Sequence, residues 1–429
     1  MENALKVLQE RGFIKQVSDE KLYDLFAEEE VTCYAGFDPS FISLGVGNLL
    51  VIMALTHIQR CGHRPIALIG GGTGMIGDPS GKSEERVLLS QDELERNVEG
   101  VRAQLEKLLA SDGQQMGSVR VMDNADWLSK YGFIEFLRDI GKHFRISEML
   151  AKESVKRRME SGEGISFTEF SYMLLQSSDF LHLFDEYDCR VQFGGSDQWG
   201  NITAGIDLIR RVRGETTYGG VFELVTTASG DKLGKSEEGE GSGVYLDPEL
   251  TSPYEFYQFW INTDDKDVVK YLKWFTFLPL LEIHRLAEVT ANEPEKREAQ
   301  RALAYEATKF VHGTEQADIA VRTSEILFGK EIAHVSDEML EGIFKDVPST
   351  ELPWTDLESG GIPIVDAMVQ CGISKGRSAA RRLINGGGMY LNNKRVTDVD
   401  YTITRESLAS AHIAVLRTGK RNYHLLRFL

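Results

Sequence analysis

The chain of 429 residues is 42% hydrophobic and 27% charged, an ordinary balance that gives room for two or three domains with sizeable cores. No apolar run approaches the ~20 residues a membrane span needs and the N-terminus carries no signal-peptide core, so neither span nor secretion is expected and the cytoplasm is. The net charge of −18 argues against nucleic-acid binding by the body of the chain. Residues 361–429, however, hold 11 Lys+Arg against 4 Asp+Glu, a local +7 that leaves −25 for the rest.

In chain order, residues 31–37 read as a strand, 48–61 as an apolar helix, 65–69 as a strand, 94–109 as an amphipathic helix and 119–122 as another strand. That alternation predicts βαβ units, hence a parallel sheet with helices on both faces. From 127 to 185 the pattern turns helical. Phe133, Ile134, Phe136 and Leu137 form an apolar face there, open to two readings, internal core or dimer interface. Residues 221–225 read as a further strand. Helical periodicity dominates from 252 to 344, with Tyr254, Phe256, Tyr257, Phe259 and Trp260 expected in the core. Residues 348–361, rich in Pro, Ser and Gly, read as a linker into the basic module.

Three turns carry the chemistry. Tyr34-Ala35-Gly36-Phe37-Asp38-Pro39-Ser40 follows the first strand, Gly194-Gly195-Ser196-Asp197-Gln198-Trp199-Gly200-Asn201 lies midway, and Lys232-Leu233-Gly234-Lys235-Ser236 sets two cations around a glycine. The lysine loop alone reads as a solvated turn. Three glycine-bearing turns at strand ends imply one nucleotide site, because ligands of such sheets bind beyond the carboxyl ends of the strands.

Two lone motifs fail on context. Gly72-Thr73-Gly74-Met75-Ile76-Gly77 fits G-x-G-x-x-G, but Asp78-Pro79-Ser80-Gly81 breaks the chain where a helix must open. Gly81-Lys82-Ser83 resembles the end of a P-loop whose first glycine position is Ile76. A different use fits better. The backbone approaches a small ligand, Asp78 offers a carboxylate, and Lys82 and Arg86 bring cations to charge that develops in the transition state. The scattered Cys33, Cys61, Cys189 and Cys371 show no C-x-x-C spacing and no H-E-x-x-H pair occurs, so no protein-bound metal is expected.

Over nearly its whole length the chain resembles bacterial tyrosyl-tRNA synthetases. The resemblance rests on residues 34–40, 70–86, 166–179, 192–205, 232–236, 251–264 and 373–396, with Gly195-Ser196-Asp197-Gln198-Trp199-Gly200-Asn201 the most diagnostic block. It implies an α/β fold with a Rossmann-like parallel-sheet catalytic domain at 1–247, an α-helical anticodon-binding domain at 248–347, a linker at 348–360 and an α+β S4-like RNA-binding domain at 361–429. The implied activity is tyrosine--tRNA ligation, in which ATP converts tyrosine to its adenylate and tyrosyl passes to tRNA. Mg²⁺ would be carried with ATP, and a homodimer is implied.

By the same resemblance Tyr34 and Asp179 bind the substrate phenol, while Asp78, Tyr172 and Gln176 hold its ammonium. Tyr172, Gln176 and Asp179, spaced i, i+4, i+7, are expected on one face of a helix at 168–184. Gly36, Asp38, Gly47, Asn48, Gln192, Gly195, Asp197 and Gln198 line the nucleotide; Lys82, Arg86, Lys232 and Lys235, with Ser40, serve the phosphates. Arg377, Arg381 and Arg382 on a helix and Lys394 and Arg395 on a hairpin are expected to bind RNA. One departure stands out. Where the family carries its HIGH tetrapeptide, this chain reads Gly45-Val46-Gly47-Asn48, without the first histidine. That leaves an alternative, an RNA-binding scaffold with weakened catalysis.

Overall fold

The computed structural model describes residues 2–80, 88–110, 119–160, 164–227, 233, 243–333, 335–345, 347–419 and 422–429, apart from the side chains of 153, 154 and 157. They form two compact units, Met1–Gly313 and Thr314–Leu429.

The first unit is built on a six-stranded sheet of β1 (Ile14–Val17), β2 (Thr32–Phe37), β3 (Arg64–Ile69), β4 (Arg120–Asp123), β5 (Cys189–Gly195) and β6 (Tyr218–Phe222), in the order β1-β6-β5-β2-β3-β4. β2 through β6 pair in parallel, as the alternating pattern predicts, and β1 adds an antiparallel edge. β3 is buried from Pro65 to Ile69, the continuous apolar run of a strand covered on both faces. The connection from β2 leads to β3 and β4, while β5 and β6 lie on the other side of β2. The order therefore switches between β2 and β5, and a crevice opens at their carboxyl ends.

The Val46–Arg60 helix crosses from β2 to β3 and buries eleven of its side chains, including Leu49, Ile52 and Met53. The sixth strand lies at Tyr218–Phe222 rather than at 221–225, because its register is set by pairing with Val191–Gly195 and local sequence does not show that partner. The helices Pro253–Ile261, Asp265–Phe275, Leu280–Asn292 and Glu298–His312 belong to the same unit. Phe256, Tyr257 and Trp260 are buried there as expected, with Tyr254 and Phe259 half-buried. Arg11 ties the N-terminal segment to these helices by donating to the carbonyls of Lys273, Thr276 and Leu278, which the end of a helix leaves unpaired.

The second unit carries β7 (Ser349–Leu352), β8 (Ile362–Pro363), β9 (Met389–Leu391), β10 (Lys394–Arg395), β11 (Thr402–Ile403), β12 (Ile413–Thr418) and β13 (Asn422–Phe428). They form a five-stranded sheet, β10-β9-β12-β13-β7, and a β11-β8 pair. Residues 348–360 are thus not an unstructured linker. β7 runs parallel to β13, and the Trp354–Glu358 helix follows it. Composition hid this strand because its partner lies far along the chain. The hairpin of β9 and β10 turns through Asn392 (φ 48°) and Asn393 (φ 63°), two left-handed residues as a two-residue hairpin loop of matching twist requires.

Candidate active site

A cavity of ≈ 240 Å³ opens at the carboxyl ends of β2 and β5. Its wall brings together Tyr34, Gly36, Asp38, Asn48, Asp78, Tyr172, Gln176, Asp179, Gln192, Gly195, Asp197 and Gln198, twelve residues spread over more than 160 positions of sequence. Ser40, on the segment that leads from β2 into the Val46–Arg60 helix, and Gly47, in the first turn of that helix, are exposed and are not part of the wall. Lys82, Arg86, Lys232 and Lys235 lie outside the described residues.

Two glycines of the crevice are there for close approach. A Cβ at Gly70 would come within 2.5 Å of Thr73 Oγ1 and 3.0 Å of Asp38 Oδ1, and one at Gly195 within 2.7 Å of Asp197 Oδ1.

One end of the cavity is a buried socket. The Phe167–Tyr187 helix, capped by Ser166 accepting from Glu169 N–H, points Asp179 inward at 2% exposure. Its carboxylate accepts from Asn124 Nδ2 at 2.9 Å and Trp127 Nε1 at 2.8 Å. Burial pushes the carboxyl up to about 7, against the pull of those two donors. Tyr34, on β2, is 1% exposed, and its hydroxyl has no hydrogen-bond partner among the described residues. Burial raises that phenol's pKa well above its ordinary value, and Asp179 raises it further. Neither Asn124 nor Trp127 stands out in the sequence as a site residue. The available signal was their place just after β4, where polar side chains at the end of a parallel strand face the ligand crevice.

The other end gathers acceptors for a cation. Asp78 Oδ1 accepts from Ser80 N–H at 2.9 Å and Asp78 Oδ2 from Gln198 Nε2 at 2.6 Å. Tyr172 Oη donates to Asp38 Oδ1 at 3.1 Å. Gln176 sits between Gln198 and Asn201, and Thr73 between Tyr172 and Asn124. Gln192 is 2% exposed on β5, and its Oε1 has no partner among the described residues. A buried acceptor left open beside a cavity is costly unless a ligand supplies the donor.

Gly45 is the N-cap of the Val46–Arg60 helix in extended backbone, bridged to Tyr245, with Asn48 Oδ1 accepting from its N–H at 3.1 Å. A Cβ placed there would meet Val244 O at 3.5 Å, an ordinary contact.

The five basic side chains expected to bind RNA are at the surface of the second unit. Arg381 and Arg382 are exposed on the Arg377–Asn385 helix, Arg377 pairs with Asp366 at 2.6 Å, Lys394 pairs with Glu331 at 2.6 Å, and Arg395 donates to Gly387 O at 2.8 Å.

Residues 27–329 match the family described as tRNA synthetases class I (W and Y), and residues 339–426 match a tyrosine--tRNA ligase SYY-like C-terminal domain. The chain is 51% identical over 429 residues to a tyrosine--tRNA ligase of Roseiflexus castenholzii, covering 100% of both. It is 49% identical over 428 residues to one of Bacillus caldotenax, covering 99% of each. Among solved structures, a C-terminally truncated mitochondrial tyrosyl-tRNA synthetase of Aspergillus nidulans is 34% identical, with a TM-score of 0.70 over 76% of this chain and 95% of that one.

Proposed function

The chain belongs to the tyrosine--tRNA ligases, within the class I synthetases for tryptophan and tyrosine, and from that membership we propose how its residues divide the work of activating tyrosine with ATP and passing tyrosyl to the 3′ end of tRNA. The observation that carries the assignment is the buried pair at the socket's end. Tyr34 offers a hydroxyl without a partner, and Asp179 offers a carboxylate that can accept from a phenol. Phenylalanine would leave both groups unanswered, and loss of buried hydrogen bonds is what gives strong rejection of such an analogue; a tyrosine-specific synthetase is the standard worked case of this effect.

Asp78, Tyr172 and Gln176 receive the α-ammonium, which turns the tyrosine carboxylate toward the nucleotide. Gly36, Asp38, Gln192, Gly195, Asp197 and Gln198 line the adenylate. A carboxylate oxygen of tyrosine attacks the α-phosphorus of ATP, the bond to the bridging oxygen breaks, and pyrophosphate leaves. No protein nucleophile takes part, so the rate comes from positioning and from donors on the leaving group. Asn48 and the amides of the Val46–Arg60 helix N-terminus face the phosphates, with Gly47 in the same turn and Ser40 on the segment before it. Lys82, Arg86, Lys232 and Lys235 supply the cations, and Mg²⁺ enters with ATP to offset its charge.

Exposed Phe133, Ile134 and Phe167, at 68%, 74% and 69%, support a homodimer that covers them. The helices from 248 to 347 are assigned to the anticodon and Arg377, Arg381, Arg382, Lys394 and Arg395 to RNA phosphates. No helix among the described residues is long and apolar enough to cross a membrane, and we place the protein in the cytoplasm. Exchange of labelled pyrophosphate into ATP tests the assignment: it is expected with tyrosine and not with phenylalanine or tryptophan. A well-folded sample that shows no exchange with tyrosine leaves the scaffold reading that Gly45 suggests.

A further inference from the structure

We propose that Asn201, which does not line the cavity, is a positioning residue that holds the Gln176 amide in one orientation before the substrate's ammonium group; the proposal rests on the tyrosine site assigned above. Asn201 stands in the first turn of the Trp199–Arg213 helix, 4% exposed. Its Nδ2 lies 3.0 Å from Gln176 Oε1, 3.3 Å from Gln198 Oε1 and 3.3 Å from Ser80 Oγ.

The direction of this network follows from chemistry at its far end. An ionised carboxylate only accepts, so the Gln198 atom 2.6 Å from Asp78 Oδ2 is the amide nitrogen. Gln198 therefore turns its oxygen back, and the Gln176 atom 3.2 Å from that oxygen is also a nitrogen. The oxygens of both amides then converge on Asn201, whose donor end is the only arrangement that meets both without an oxygen facing an oxygen.

The consequence lies at the cavity wall. A carbonyl oxygen has two lone pairs; Asn201 engages one on Gln176 and holds that side chain in a single orientation, leaving the other for the incoming ammonium. Without Asn201, the Gln176 oxygen loses its donor and the side chain is held only through its nitrogen, which donates to Gln198 Oε1 at 3.2 Å. Its acceptor is then no longer held in place before the substrate binds, and preorganisation is lost. Nothing at the phenol socket contacts Asn201, so the effect is confined to the amine.

The test compares two ligands on the full-length protein: L-tyrosine and 3-(4-hydroxyphenyl)propionate, which has the same phenol and carboxylate but no amine. Asn201→Ala is expected to weaken tyrosine roughly 10-fold, the size of one altered hydrogen bond to a charged group, while the deaminated compound changes by less than about twofold. In a Gln176→Ala background the same substitution should add nothing, since Asn201 acts through Gln176. If Asn201→Ala does not fold, Asn201→Ser makes the same comparison with less lost volume. Equal weakening of both ligands, unchanged tyrosine affinity, or additive losses in the double variant would each overturn the proposal. A wild type that binds no tyrosine would instead sink the site assignment beneath it.

Discussion

Burial holds the Asp179 carboxyl at about 7, while its proposed task needs the carboxylate. The sign follows directly. The raised value means the free protein favours the protonated acid below about 7, and the phenol-accepting form grows as pH rises through it. Tyrosine affinity is therefore expected to rise between pH 6 and 8, and titration of the dissociation constant checks this. Asp179→Asn should flatten that profile and cost about 1.5–3 kcal/mol in kcat/KM, roughly 10- to 100-fold. Its melting temperature should change little. Removing a buried charge favours the fold, while one of the donors Asn124 and Trp127 loses its acceptor. A parallel collapse of stability and activity would mark the residue as structural. At Gly45 the question is a missing donor. The Cβ contact of 3.5 Å leaves space for a side chain, so Gly45→His is expected to speed single-turnover adenylate formation by at most about 1–3 kcal/mol with tyrosine affinity unchanged. A slower variant would show that Asn48 and the helix amides already fill the role.

At the scale of elements, the Phe167–Tyr187 helix is the main carrier of the site, and a buried ion pair fixes its first turn. Arg158, on the Glu153–Glu160 helix, places Nη2 3.0 Å from Glu169 Oε2, with side-chain exposures of 4% and 2%. Removing one partner leaves a buried charge uncompensated, so Arg158→Met should cost about 3–5 kcal/mol. Arg158→Met with Glu169→Leu should recover most of it, because an apolar pair of similar volume avoids the desolvation cost. Chemical denaturation of the wild type and these two variants decides; a double variant no better than the single one would refute the account. Helices of this kind were legible from spacing, since Tyr172, Gln176 and Asp179 share a face at helical intervals. The short strands β1 and β7 were not, because each is defined by a distant partner strand, β6 and β13.

For the whole molecule, the boundary between units decides where function can be separated. Cutting at 361 would remove β13 and leave β7 unpaired, along with a core in which Ile326 and Phe344 pack with Ile413, Val415 and Leu425. A chain ending at Gly313 keeps the first unit whole. It is expected to retain tyrosine-dependent pyrophosphate exchange and to lose most tRNA charging. In the full chain, tRNA affinity should fall steeply with salt, as phosphate contacts by Arg381, Arg382 and their neighbours release counterions. Charging by the shortened chain at the full rate would refute that role for the second unit.

The sequence by itself determined the alternation that builds a parallel sheet, the glycine turns that must lie at strand ends, and the charge that sets the basic module apart from an acidic body. These are local in the chain: periodicity, spacing and composition can be read without knowing what packs against what. Tertiary structure alone decided which side chains support the readable ones. Asn124 and Trp127 reach Asp179 from 55 and 52 positions away, and Asn201 reaches Gln176 from 25. No local pattern marks such residues, because their role is defined by a partner that only the folded sheet brings near.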